Sequence, residues 1–116
     1  MVIPYNQHKF NCAHYAIGRI NDTYSANIRI EEGAEWQASF LPFMRQYFNP
    51  IKKPVNDCLV VMTQGDGSLH LGIYEHRHVS HNYSPQSGAG SVIMSDMGTI
   101  RALYKRVRFY AYNQAV

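Results

Sequence analysis

The apolar residues change their repeat at Pro54. Before it they recur at helical spacing. After it they alternate, or run in short blocks broken by turn residues. A chain written this way puts helices first and strands second. Runs of helix followed by runs of strand give an α+β domain rather than alternating βαβ units. At 116 residues the chain reads as one domain, 1–116, long enough to bury a core without disulfide or metal staples. A hydrophobic content of 46% with 13% aromatics supplies that core and argues against disorder.

The first helix is expected from Cys12. Cys12, Ala13, Tyr15, Ala16, Ile17 and Ile20 share one face, Asn11 serves as N-cap, and Asn21-Asp22 ends the run. Gly18 weakens it slightly. A second helix is expected over 35–48, where Trp36, Phe40, Phe43, Met44, Tyr47 and Phe48 form a core stripe. Pro42 should kink or split it, and 49–54 reads as a connector. Strands are expected at 58–63, 69–75, 79–83, 91–95 and 105–112. Gly65-Asp66-Gly67 and His76-Arg77 turn the chain, 84–90 is a loop, and 96–103 is a turn or short helix. The expected architecture is N-terminal helices packed on an antiparallel sheet of about five strands.

The net charge of +3 comes from loosely grouped Lys52, Lys53, Arg101, Lys105, Arg106 and Arg108. With charged residues at only 16% of the chain, a nucleic-acid partner is not the expectation. An anionic polymer such as cell wall suits this charge as well. No apolar run approaches the ~18 residues of a membrane span. Met1-Val2-Ile3-Pro4-Tyr5 has neither the basic nor the apolar region of a signal peptide. Cys12 and Cys58 are expected to be reduced thiols, with Cys58 a small apolar residue in a buried strand.

No Cys-x-x-Cys or His-Glu-x-x-His pattern occurs, and Ser87-Gly88-Ala89-Gly90-Ser91 reads as a flexible connector rather than a phosphate loop. No cofactor or metal is expected. The weighed zinc alternative, His76, His78 and His81, puts the first two on one side of a strand and the third on the other.

The chemistry lies in Cys12 and His70. A thiol attacks carbonyls as thiolate, and its pKa is expected to fall at a helix N-terminus and beside an imidazolium. The same unpaired N–H groups can stabilise an oxyanion. His14 follows Cys12 by two residues and points away around the helix. His70 sits on a central strand candidate. His81 lies on the next strand, where antiparallel pairing brings it toward His70. His70 would be the general base and His81 the group that orients it. The plain alternative is a hydrogen-bonded core histidine.

These residues resemble the NlpC/P60 family of cell-wall peptidases. Phe10-Asn11-Cys12-Ala13-His14 resembles the Phe-Asp-Cys-Ser-Gly run that opens the family's nucleophile helix, with Asn for Asp and Ala-His for Ser-Gly. His70-Leu71-Gly72-Ile73-Tyr74 resembles its His-Val-Gly-Ile-Tyr strand. Pro54-Val55-Asn56-Asp57-Cys58-Leu59-Val60 resembles the preceding Pro-x-Gly-Asp-Leu-Val strand, with Asn for Gly and a cysteine inserted. Ser80-His81-Asn82 resembles the Ile-His-Ala segment that carries the third polar residue, and Pro4-Tyr5 a shortened tyrosine segment without its Trp-Gly-Gly.

The resemblance implies a compact papain-like fold and a cysteine amidohydrolase acting on peptidoglycan stem peptides. Cys12 would be nucleophile, His70 base and His81 orienter, with Tyr5 and the Cys12 N–H at the oxyanion. Phage-associated or effector-type relatives imply a bacterial cytoplasmic or virion location and a virion or secretion-system partner. Two other readings keep the fold: a transacylase or thioesterase using the same dyad, with an apolar tunnel, and a non-catalytic structural or adaptor protein such as a virion component.

Overall fold

Two tight turns set the centre of the sheet. The computed structural model describes residues 12–29, 36–83 and 91–113; Tyr5 and Asn11 lie outside them. At the first turn Gly67 adopts φ +89, and its N–H bonds Gln64 O at 2.9 Å. Ser68 N–H donates to Asp66 Oδ1, also at 2.9 Å. This joins β2 (Leu59–Thr63) to β3 (Leu69–Glu75). At the second, His76 and Arg77 both take positive φ, 47° and 70°, as a two-residue hairpin of right-handed twist requires. Asn56 Oδ1 holds that turn by accepting from His76 N–H at 2.9 Å. It leads into β4 (His78–Tyr83).

The remaining elements are α1 (Cys12–Tyr24), α2 (Trp36–Arg45), β1 (Phe48–Ile51), β5 (Ser91–Asp96), α3 (Met97–Leu103) and β6 (Arg106–Tyr112). The strands form one antiparallel sheet in the order β1-β6-β2-β3-β4-β5. The domain is α+β, as expected, but the sheet has six strands rather than about five. The addition is β1, which pairs with β6 from Phe48↔Tyr112 to Ile51↔Phe109. Its sequence reads as a helix tail followed by a proline connector. Pro50 lacks an N–H, and a short edge strand tolerates that. α2 accordingly stops at Arg45, and it stays one helix with Pro42 inside it.

Strand alternation sorts the core into two layers. Leu59, Val61, Leu71, Ile73 and Tyr110 face α1 and α2, packing on Cys12, Ala13, Ala16, Ile17, Ile20, Phe40 and Met44. Cys58, Val60, Met62, Val79 and Phe109 face the other way, onto Ile100 of α3. Each fully buried aliphatic side chain contributes about 1.5–3 kcal/mol of transfer free energy. α3 is started by Asp96, whose carboxylate accepts from Thr99 N–H at 2.9 Å. Among the described residues no helix is long and apolar enough to cross a membrane.

Candidate functional site

Met62 of β2 pairs with His70 of β3, so the two share the α3 side of the sheet. Two-residue alternation adds Gly72 and Tyr74 to that side. Tyr74↔Val79 puts Val79, and hence His81, there too. The two imidazoles meet: His70 Nε2 and His81 Nδ1 are 2.8 Å apart and the rings are nearly perpendicular, at 85°. Gly72 makes room for this. A Cβ on it would lie 2.5 Å from Val79 Cγ1, 3.0 Å from Ser80 O and 3.2 Å from His81 Cβ. The missing side chain lets β4 lean over β3 beside His70.

Two further groups hold the pair. Ser95 Oγ lies 3.1 Å from His81 Nε2. The Tyr104 ring stacks parallel to His70, 4° between planes and 5.9 Å between centroids. His70 and His81 are both buried. Burial, helped by the neighbouring His81, pushes His70 down to about 3, and burial alone pushes His81 down to about 4. At neutral pH both rings are uncharged. A contact between two ring nitrogens then requires one N–H and one lone pair.

Cys12 opens α1 and is buried in the α1-side core. Leu71 shares that layer, whereas His70, the residue before it, faces the α3 side of the sheet. Tyr74 uses both backbone groups toward β2: its N–H bonds Cys58 O at 3.0 Å, and its C=O accepts from Asp57 N–H at 2.8 Å. By alternation the N–H of Leu71 points the other way, toward β4. The β3–β4 register runs from Ile73↔Ser80 to Glu75↔His78, short of Leu71. The Leu71 N–H is among the backbone groups that act on the Cys12 thiol.

The expected lowering of the thiol pKa does not occur. Burial raises Cys12 to about 11, outweighing the opposing N–H groups of Leu71, Ala13 and Cys12 itself. A helix terminus favours a thiolate, but a desolvated charge costs more than three backbone dipoles return. At rest Cys12 is therefore a neutral thiol, as His70 and His81 are neutral imidazoles.

No family model matches this chain, and no curated protein matches its sequence.

A polar network ties the thiol's helix to the histidine strands. The Tyr15 hydroxyl, one turn along α1 from Cys12, bonds Ser80 Oγ next to His81. Arg19 Nη1 donates to Tyr15 Oη at 2.9 Å, and Nη2 pairs with Glu75 at the end of β3. None of Tyr15, Ser80, Ser95 or Tyr104 was a candidate site residue in the sequence. Each acquires its partner through pairing across strands or from α1 to the sheet.

The other sequence candidates are dispersed. His14 is half-buried on α1. His76 and His78 are exposed at the β3–β4 turn, where the His78 ring bonds the His76 carbonyl at 3.0 Å. Among the described residues no group of three His, Cys, Asp or Glu side chains is arranged to hold a metal. Cys58 is a free thiol in the opposite core layer. Tyr5 lies outside the described residues. Of the basic residues, Lys52, Arg101 and Arg108 line one cleft of about 410 Å³, and the Arg101 guanidinium lies over Phe109.

Proposed function

We propose that this chain is a cysteine amidohydrolase of the NlpC/P60, papain-like type that cleaves peptidoglycan stem peptides. Cys12 is its nucleophile, His70 the base and His81 the orienting residue. The observation that carries the reading is the 2.8 Å bond between His70 Nε2 and His81 Nδ1. It gives His70 an orienting partner, as in other nucleophile–base–orienter sets. Cys12 supports it by its place at a helix start beside Leu71.

The chemistry follows from two neutral groups. Because burial opposes a resting ion pair, the thiol proton leaves only as Sγ forms its bond to the scissile carbonyl carbon. The carbonyl π pair moves onto oxygen, toward the N–H groups at the start of α1. The proton goes to His70 Nδ1 and then to the departing amine nitrogen as the C–N bond breaks. Water releases the thioester, with His70 again taking a proton. Tyr5 is the proposed second oxyanion donor. Delivery to the wall would come through a virion or a secretion machine.

One observation favours a second reading. A thiol raised to about 11 and an imidazole lowered to about 3, on opposite faces of the sheet, are also what a non-catalytic member of the fold would carry. Incubation with peptidoglycan fragments separates the two. The hydrolase releases new amines, and Cys12→Ala and His70→Ala abolish the release. Wild-type protein that releases none, or a Cys12→Ala variant that releases as many, leaves the structural reading.

A further inference from the structure

We infer that the cleft at the end of β1 binds the phosphate group of a small phosphate ester, held by Lys52, Arg101 and Arg108. The site uses none of the residues around the histidine pair and does not depend on the hydrolase reading. It begins with register. The last pair between β1 and β6 is Ile51↔Phe109, so the ladder carried one step further sets Lys52 across from Arg108. From Arg106 to Arg108, β6 pairs with β2 and no longer with β1. The step this leaves at the sheet edge is a cleft of about 410 Å³. Arg101 joins it from α3, with its guanidinium over the Phe109 ring, 5.9 Å from the centroid.

Three cations gathered in one cleft favour an anion between them. Like charges facing each other across neighbouring strands repel. Among the described residues no Asp or Glu lines the cleft, and the stretches 36–56 and 97–116 contain none at all. None of the three cations forms an ion pair with a described carboxylate. Asp96, at the start of α3, is already bonded by the Thr99 N–H and hydroxyl. Ile51, Val107 and Phe109 supply apolar walls, and a cleft of one charge sign with such walls focuses its field on a counter-ion. A phosphate monoester fits this better than a carboxylate does. It carries a charge of about −1.5 to −2 near pH 7 and three acceptor oxygens. Guanidinium groups meet such oxygens through paired N–H bonds, and one stacked by its face keeps its N–H edges for them. The cleft is larger than a phosphate ion, which leaves Ile51 and Val107 to contact the organic part of an ester.

Phenyl phosphate is the probe, titrated into the ¹⁵N-labelled full chain in low-salt buffer near pH 7. Amide shifts should saturate with a Kd of about 1 mM or tighter and centre on Ile51, Lys52 and Val107 to Phe109. Benzoate should bind about tenfold more weakly, for want of the second charge. Inorganic phosphate should also bind more weakly, since it has no group to rest on Ile51 and Val107. Arg101→Gln and Arg108→Gln should each weaken phenyl phosphate about tenfold; if one variant loses its folded spectrum, the other carries the comparison. Lys53→Gln and Arg106→Gln remove the same charge from residues that do not line the cleft, and should change the Kd less than about twofold. Shifts that do not saturate overturn the inference. So does benzoate or inorganic phosphate bound as tightly as the ester, or equal weakening by the Lys53 and Arg106 variants, which is the behaviour of a solvated basic face.

Discussion

His70 and His81, eleven residues apart on adjacent strands, meet ring nitrogen to ring nitrogen at 2.8 Å in a buried site. Burial opposes a charge on either ring, and the neighbouring His81 opposes one on His70 as well. The contact is therefore built for neutral rings, with one proton between them. That fixes both what the pair can do as a base and how it responds to acid.

In the unfolded chain these histidines take up protons near pH 6.5; in the folded one burial holds them at about 3 and about 4. Between those limits the unfolded state binds more protons, so stability is lost as pH falls through this window. Each histidine contributes a slope approaching ~1.4 kcal/mol per pH unit. The urea midpoint should decline steadily from pH 7 to 5, and His81→Gln should decline about half as steeply. Asp66 and Asp96, lowered by bonds from Ser68 and Thr99, add their loss only at lower pH. A midpoint that stays flat from pH 7 to 5 contradicts the neutral pair.

Much of this site is legible in the sequence, because hairpins place near neighbours together. His76-Arg77 marks the turn, and antiparallel pairing about it brings residue 81 toward 70. The β half is legible for the same reason: alternation, Gly67 and the apolar blocks after Pro54 fix short-range pairings. β1 is not, because Phe48-Asn49-Pro50-Ile51 makes sense only beside β6, more than fifty residues later. Nor is the state of Cys12. A helix start predicts a lowered thiol pKa, whereas burial against β3 decides the direction. Ser95 needed the β4–β5 register, which the intervening loop conceals.

Gly72 and Gly18 should respond to alanine with opposite signs. At Gly72 a Cβ meets Val79 Cγ1 at 2.5 Å and the Ser80 carbonyl at 3.0 Å. Gly72→Ala should therefore cost about 1–3 kcal/mol and spread the strands that hold the histidine pair. At Gly18, inside α1, nothing lies within 4 Å, so Gly18→Ala should gain about 0.5–1 kcal/mol. Urea titration of both variants checks this. A stabilised Gly72→Ala contradicts the close approach.

Alkylation reports the Cys12 thiol directly. With a pKa raised to about 11, iodoacetamide labelling of the native protein should be slow near pH 7. It should climb about tenfold per pH unit up to about pH 10, as the thiolate fraction grows. Cys58, also raised by burial, leaves Cys12 no large head start at neutral pH. A Cys12 rate that levels off below pH 8 indicates a preformed thiolate and contradicts the buried neutral site.

The most direct measurement is covalent. Full-length protein is treated with an activated ester of a stem peptide, and the acylated residue is located by intact mass and peptide mapping. The expected result is a single acyl group on Cys12, none on Cys58, no labelling in Cys12→Ala, and labelling about a hundredfold slower in His70→Ala. Equal labelling of the two cysteines, or a His70→Ala variant as fast as wild type, contradicts a Cys12 nucleophile served by His70.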